Sequence, residues 1–342
     1  MRFLLYAAIG LGIALLGIGA ALHFLPVNSG IRMENTNAET PYARYLARQP
    51  YLYSAGWGME NARHGITNRQ GFSNSRDFTD DANALVIGDS FIESFMNDYP
   101  DTVQGQLDAA LGKVYAPAAS GNGLADALQI ARHFLPTTHA KVVVIFVEPS
   151  DLVGIDGPAT GGHNAFVIEG NTVSVRHTPY VESRAKETVL KSALLRYAYY
   201  NLKFPQWFQM RNAPMPDAST GDTAALAAHR ARRELALGYL MEELATLRKQ
   251  YGTRFVFLVD GDRGAIYAPG KYPPTWPGDE RQALLRHIRS RGFGLVDMQP
   301  IFAQHWRVYR ERMDFLPMDG HWNKVGHHLA AEGVLAELAP RK

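Results

Sequence analysis

Four short segments carry residues that together could cleave an ester. Gly88-Asp89-Ser90 closes the apolar run Ala84 to Ile87 and offers Ser90 as a nucleophile. Asp319-Gly320-His321 offers a base for that hydroxyl and a carboxylate to orient the base, the pairing that an activated serine requires. Ser120-Gly121-Asn122-Gly123 supplies a glycine, Gly121, whose N–H can approach a developing oxyanion. Glu148-Pro149-Ser150-Asp151 adds a hydroxyl, Ser150, and a carboxylate, Asp151. Each segment alone is ordinary turn chemistry, because Gly, Asp, Asn and Ser are the usual turn residues. Asp260-Gly261-Asp262-Arg263 is a fifth loop, and Arg263 there could meet an acidic sugar or a phosphate.

The elements around these segments decide whether they can meet. Ala84 to Ile87, Val142 to Val147 and Arg254 to Val259 are apolar runs of strand length, buried on both faces as in a parallel sheet. Lys113 to Ala116 and Gly294 to Asp297 read as shorter strands. Helical spacing follows each of the first four: 101–111, 124–134, 223–250 and 279–291, with Leu237, Leu240, Leu244 and Leu247 forming one apolar stripe. A last helix is expected over 323–338. Strands alternating with helices predict a doubly wound α/β fold, and the chemical segments then fall at strand carboxyl ends, where such sheets bind ligands. Residues 154–222 interrupt the alternation and read as an insertion with a hairpin over 165–175. Residues 42–68 show no clear period, and 27–42 read as a linker.

Composition bounds the rest. The chain has 342 residues, 46% of them hydrophobic and 20% charged, which permits a large core. A net charge of +2 gives no reason to expect nucleic acid. The absence of cysteine removes disulfides and thiol nucleophiles. His327 and His328 follow His321 but match no metal-ligand spacing, and no metal or cofactor is called for. From Phe3 to Leu25 the chain is long and apolar enough to cross a bilayer, with Arg2 before it. It is expected to be an uncleaved anchor over 1–26, with a signal peptide as the alternative. The body would then lie on the extracytoplasmic side, the periplasmic side of an inner membrane in a Gram-negative host.

In order, these segments resemble the sequence blocks of the SGNH (GDSL-type) hydrolases, in a branch of membrane-tethered bacterial envelope proteins. Gly88-Asp89-Ser90 is similar to the first block, Gly121 to the glycine of the second, and Asp319 with His321 to the last. Asn68 with Gly71-Phe72 resembles an element often found ahead of the first block. The resemblance covers roughly 68–338. It implies a three-layer α/β/α sandwich with a flavodoxin-like parallel sheet over 68–342, and the residues before 68 form an irregular lead-in. It also implies a catalytic set of Ser90, Asp319 and His321, and an oxyanion hole of Ser90, Gly121 and either Ser150 or Asn122. Asp89, Asp151 and Arg263 are the candidate substrate contacts. Two positions depart from the pattern: the pair is spaced Asp-x-His instead of Asp-x-x-His, and Ser150 stands where an asparagine is usual.

The implied activity is a serine esterase acting on O-acyl, expected to be O-acetyl, groups of an envelope glycan through an acyl-serine intermediate. An O-acyltransferase using a sugar acceptor, and a non-catalytic accessory or glycan-binding protein, remain as alternatives. The expected partners are an acylated glycan or small ester, the membrane, and other envelope polysaccharide-modifying proteins.

Overall fold

The computed structural model describes residues 2–204, 223–271, 275–276, 278–316 and 319–340. Its centre is a parallel sheet of five strands: β3 (Ala84–Ile87), β4 (Val114–Tyr115), β5 (Val142–Val147), β8 (Arg254–Val259) and β9 (Gly294–Asp297). Their spatial order is β4-β3-β5-β8-β9, and every pair is parallel. The order reverses between β3 and β5, so the cleft at their carboxyl ends is the expected place for a ligand. Gly88-Asp89-Ser90 leaves β3 there, and Glu148 to Asp151 leaves β5 beside it.

Alternation along each strand builds two cores. Leu85, Ile87, Val143, Ile145, Phe255 and Phe257 face one layer, made by the helices Leu124–Thr138, Thr223–Tyr251 and Glu280–Ser290. Ala84, Val86, Val144, Phe146, Val256 and Leu258 face the other, made by Val103–Leu111, Met298–Tyr309 and Lys324–Leu338. The result is a three-layer α/β/α sandwich. The stripe Leu237, Leu240 and Leu244 is fully buried in the first core.

Three pieces lie outside the sheet and matter for the site. An antiparallel hairpin, β1 (Pro50–Ala55) and β2 (Glu60–Ile66), occupies the stretch that shows no period in the sequence. The residues before it are packed: Val27, Tyr42 and Tyr45 are buried, and Ser29 N–H donates to the Leu52 carbonyl at 2.9 Å. The region read as an insertion holds a second hairpin, β6 (Asn164–Glu169) and β7 (Thr172–His177), turning at Gly170, and then the short helices Arg184–Lys191 and Ala193–Arg196. Asp126 of the helix Leu124–Thr138 secures this hairpin, accepting from Asn164 N–H and Nδ2 at 2.8 Å. Lastly, β10 (Asp314–Phe315) pairs antiparallel with β11 (Asp319–Trp322) just ahead of the last helix.

The apolar segment forms one helix, Arg2–His23, long and apolar enough to cross a membrane and almost wholly exposed. Its last turn is not free: Leu22 and Val27 are buried with Ala193, and Gly19 approaches Leu194.

Candidate active site

Ser90 opens the short helix Ser90–Glu93, so its N–H has no partner inside that helix. Asp89 precedes it as the cap, accepting from Phe91 N–H at 2.8 Å. His321 Nε2 lies 2.7 Å from Ser90 Oγ. His321 Nδ1 is hydrogen-bonded to Asp319, whose Oδ1 also accepts the His321 backbone N–H at 2.9 Å. The Asp-x-His spacing is explained by strand geometry. Positions two apart on β11 point to the same side, so one intervening residue places carboxylate and imidazole together.

The imidazole is held by more than its carboxylate. Phe91 packs against His321 with ring centroids 4.7 Å apart. Tyr53, from β1, donates its hydroxyl to Asp319 Oδ2 at 2.5 Å. Arg263 donates to the Gly320 carbonyl at 2.8 Å, between the two site residues. Its guanidinium also grips Asp260 at 2.7 and 2.8 Å and lies 3.3 Å from Asp314. Trp322 Nε1 donates to the same Asp260 at 3.0 Å. Arg263 is therefore engaged inside the fold, where it braces β11 and has little surface left for a substrate.

Burial and charge act against each other here. Burial alone would lower the His321 pKa, but the hydrogen bond and charge of Asp319 outweigh it and raise it above 6.5. Burial would raise Asp319, and its bonds to His321 and Tyr53 instead hold it far below the usual carboxylate range. Three other carboxyls around Ser90 go the opposite way. Burial pushes Asp89 up to about 7, with Glu148 adding repulsion. Burial likewise pushes Glu93 up to about 7, although Tyr45 and Ser120 both donate to it. Asp151 is raised well above its ordinary value by burial and by Asp89.

The second and third segments border a polar cleft of about 340 Å³ that Ser90 also lines. Gly121 has φ +87°, a conformation open to glycine, and a Cβ there would stand 3.3 Å from His163 Nε2. Of the two further oxyanion candidates, Ser150 donates its hydroxyl to Glu148. Asn122 donates one amide hydrogen to the Gly88 carbonyl at 3.0 Å. An amide carries two such hydrogens, so Asn122 keeps one in hand and Ser150 does not. Asp151 accepts the Glu148 N–H at 2.9 Å, a bond that caps its own short helix. His327 is buried between Ser94 Oγ, 3.0 Å from its Nε2, and the Val103 N–H, which donates to Nδ1. Among the described residues no group of three or more His, Asp or Glu is arranged to hold a metal. Trp276 and Tyr272, which lie amid prolines and could stack on a sugar, divide: Trp276 is buried in the core, and Tyr272 lies outside the described residues.

Tyr53, Glu93 and His163 carry no motif. Glu93 had one local signal, a carboxylate inside an otherwise apolar helical turn three residues after Ser90. Tyr53 and His163 reach the site from hairpins and have no such signal.

No family model matches the chain, and no curated protein does. Several solved structures are similar at low level. An alpha/beta hydrolase enzyme from the metagenome of Lake Arreo, Spain, is 14% identical with a TM-score of 0.42, over 76% of this chain and 96% of that one. An acetyl xylan esterase is 11% identical with a TM-score of 0.42, over 75% and 100%. A member of the lipolytic protein G-D-S-L family from Veillonella parvula is 9% identical with a TM-score of 0.36, over 74% and 96%.

Proposed function

We propose that this protein is a serine esterase of the SGNH type, with Ser90 as nucleophile, His321 as base and then acid, and Asp319 orienting His321. The observation that carries this reading is the 2.7 Å contact between His321 Nε2 and Ser90 Oγ, with Asp319 on the opposite ring nitrogen. Ser90 Oγ attacks the ester carbonyl while its proton passes to His321 Nε2. The N–H groups of Ser90 and Gly121, with the spare Asn122 hydrogen, receive the oxyanion. His321 returns the proton to the departing alcohol, leaving acyl-Ser90, and water then releases the acid by the same steps. No metal or cofactor enters the scheme.

The substrate we assign is an O-acyl, by resemblance an O-acetyl, ester on an envelope glycan or a small ester analogue of it. The helix Arg2–His23 is assigned as a single membrane anchor, with 27–67 leading into a hydrolase domain over 68–342. That domain would lie on the extracytoplasmic side of the inner membrane, beside other polysaccharide-modifying proteins. Replacing water by a sugar hydroxyl turns the same chemistry into acyl transfer. The Ser150 bond to Glu148 supports the reading without catalysis, since it removes one expected donor. Treating the full-length protein in detergent with a fluorophosphonate and with p-nitrophenyl acetate tests the proposal. We expect covalent labelling and turnover that Ser90→Ala abolishes. A folded protein that is neither labelled nor active, or labelling unaffected by Ser90→Ala, overturns it.

A further inference from the structure

Ser90 borders two spaces of different character. One is the polar cleft. The other is a narrow passage of about 180 Å³, which Ser90, His321 and Asp319 line together with Tyr53, Phe95 and Ser120. That passage shares Tyr53, Phe95, Ser120 and Tyr200 with a cavity of about 670 Å³. The cavity lies between the lead-in hairpin and the helix Arg184–Lys191, and no sequence motif points to it.

Its walls among the described residues are mostly ring faces and alkyl groups, including Ile31, Leu52, Tyr51, Val189 and Tyr199, with Asn28, Ser183 and Lys186 at polar points. Several of its polar groups are engaged: Tyr45 and Ser120 donate to Glu93, Tyr53 donates to Asp319, and the Lys186 ammonium donates to Tyr180 at 3.1 Å. A sugar ring needs hydrogen-bonding partners around its edge, whereas a hydrocarbon chain needs only apolar contact. The cavity fits the chain.

Its location agrees. Asn28 to Ile31 of the wall come within eight residues of the end of the apolar helix at His23. Around this junction Phe24 is 86% exposed, Trp57 75%, Tyr199 48% and Phe204 47%. Such a cluster is costly against water and fits a bilayer interface, where Trp and Tyr gather at the ends of a span. Tyr199 belongs to both the cluster and the cavity wall.

We propose that this cavity is a lipid-chain site: it holds the alkyl chain of an amphipathic ester drawn from the membrane, with the ester bond at Ser90. The proposal rests on the esterase reading of Ser90 and on the anchoring of Arg2–His23, and it adds a lipid alcohol as a second substrate class beside the glycan ester. The chain belongs to the alcohol side. His321 must give its proton to the oxygen that leaves, and His321 lines the passage and not the polar cleft. The Ser90 Oγ–acyl bond forms, the acyl–alkoxy bond breaks, and the proton taken from Ser90 goes to the alkoxide that retreats into the cavity. The acyl group stays on the polar side.

The test uses the full chain in lipid nanodiscs. Ala185 lines the cavity, is exposed and does not line the passage that holds Ser90, Asp319 and His321, so Ala185→Trp fills the space at a distance from them. Decyl acetate should exceed ethyl acetate in kcat/KM by about tenfold or more, and Ala185→Trp should remove that preference while leaving ethyl acetate within about twofold. Equal rates on the two acetates, or a preference untouched by Ala185→Trp, overturn the proposal. So does a chain preference that appears only with p-nitrophenyl decanoate, whose chain is on the acyl side. A second arm needs no turnover. In Ser90→Ala nanodiscs, a diazirine-bearing decanol should photolabel peptides containing Tyr51, Val189 or Tyr199, and Ala185→Trp should suppress it. Labelling confined elsewhere overturns the lipid site. If Ser90 is not a nucleophile, fluorophosphonate labelling fails while this photolabelling persists. If the helix is no anchor, the protein fails to enter nanodiscs.

Discussion

Tyr53 and Asp319 are 266 residues apart in sequence and 2.5 Å apart in space, the Tyr53 hydroxyl donating to Asp319 Oδ2. A hairpin outside the central sheet thus fixes the carboxylate that fixes His321. The bond favours the charged form of Asp319, and Asp319 in turn raises His321.

The two partners should shift the pH profile in opposite directions. In the proposed mechanism neutral His321 is the base, so kcat/KM is expected to rise with pH through a midpoint above 6.5. Asp319→Asn removes the group that raises His321 and leaves burial to lower it. The midpoint should fall, and kcat should drop by about three orders of magnitude or more. Tyr53→Phe frees Asp319 to interact more fully with the imidazolium, so the midpoint should rise with a milder loss of rate. Profiles that move the same way would show that Tyr53 does not act through Asp319.

Glu93 sets a pH-dependent strain on the fold. Its pKa is raised from 4.5 to about 7, so its favourable contribution is complete below about 4.5 and is lost as the pH climbs through about 7. That rise corresponds to about 3 kcal/mol at alkaline pH. Glu93→Gln carries no charge, so its melting temperature relative to the parent should be higher at pH 8 than at pH 5. A difference that is the same at both would mean that Glu93 is already ionised at pH 5.

Arg263 is expected to be a stability residue first. Arg263→Ala leaves Asp260 buried without its cation and Asp314 with Arg312 alone, a loss on the order of 3–5 kcal/mol. Urea unfolding should register it, and a midpoint within error of the parent would contradict the bracing role. Arg263→Lys keeps a charge but not the fork that reaches Asp260 and the Gly320 carbonyl together, so it should recover only part.

Neighbouring glycines should separate donor geometry from general tolerance. At Gly121, φ is +87° and His163 stands over the missing Cβ, so Gly121→Ala costs roughly 1–2 kcal/mol in backbone alone. We expect a fall in kcat of about tenfold or more with KM nearly unchanged, as for loss of an oxyanion donor. At Gly123 the backbone is extended, with φ −114°, and a Cβ meets only Asp151 at 3.4 Å. Gly123→Ala should therefore retain activity, and equal losses at both positions would remove the special claim for Gly121.

The central sheet was readable because its strands carry their own pattern. Val142 to Val147 is apolar at every position and Arg254 to Val259 at every position after Arg254, since both faces are covered, and the structure begins and ends them at those residues. The lead-in hairpin was not readable for the opposite reason. β2, Glu-Asn-Ala-Arg-His-Gly-Ile, alternates only between half-buried and exposed, so no apolar period marks it. Tyr53 follows from that blind spot. β11 is likewise too short and polar to read as a strand, and this hid the simple reason that Asp319 and His321 can be spaced two apart. Ser90, Gly121, Asp319 and His321 could be named from local motifs. Two of their neighbours, Tyr53 and His163, depend on which distant surfaces meet.

The junction after the apolar helix has a mechanical meaning. Asn28 N–H donates to Asn201 at 3.1 Å, its side chain donates to the Ser54 carbonyl, and Leu22 and Val27 are sealed against Ala193. The segment is a clamp and not a leash. Wherever the helix Arg2–His23 is held, Ser90 is held at one height and one bearing, and cannot swing out to search the surrounding volume. Under the anchoring proposed for this helix, such a molecule would work on what slides past it in a single plane.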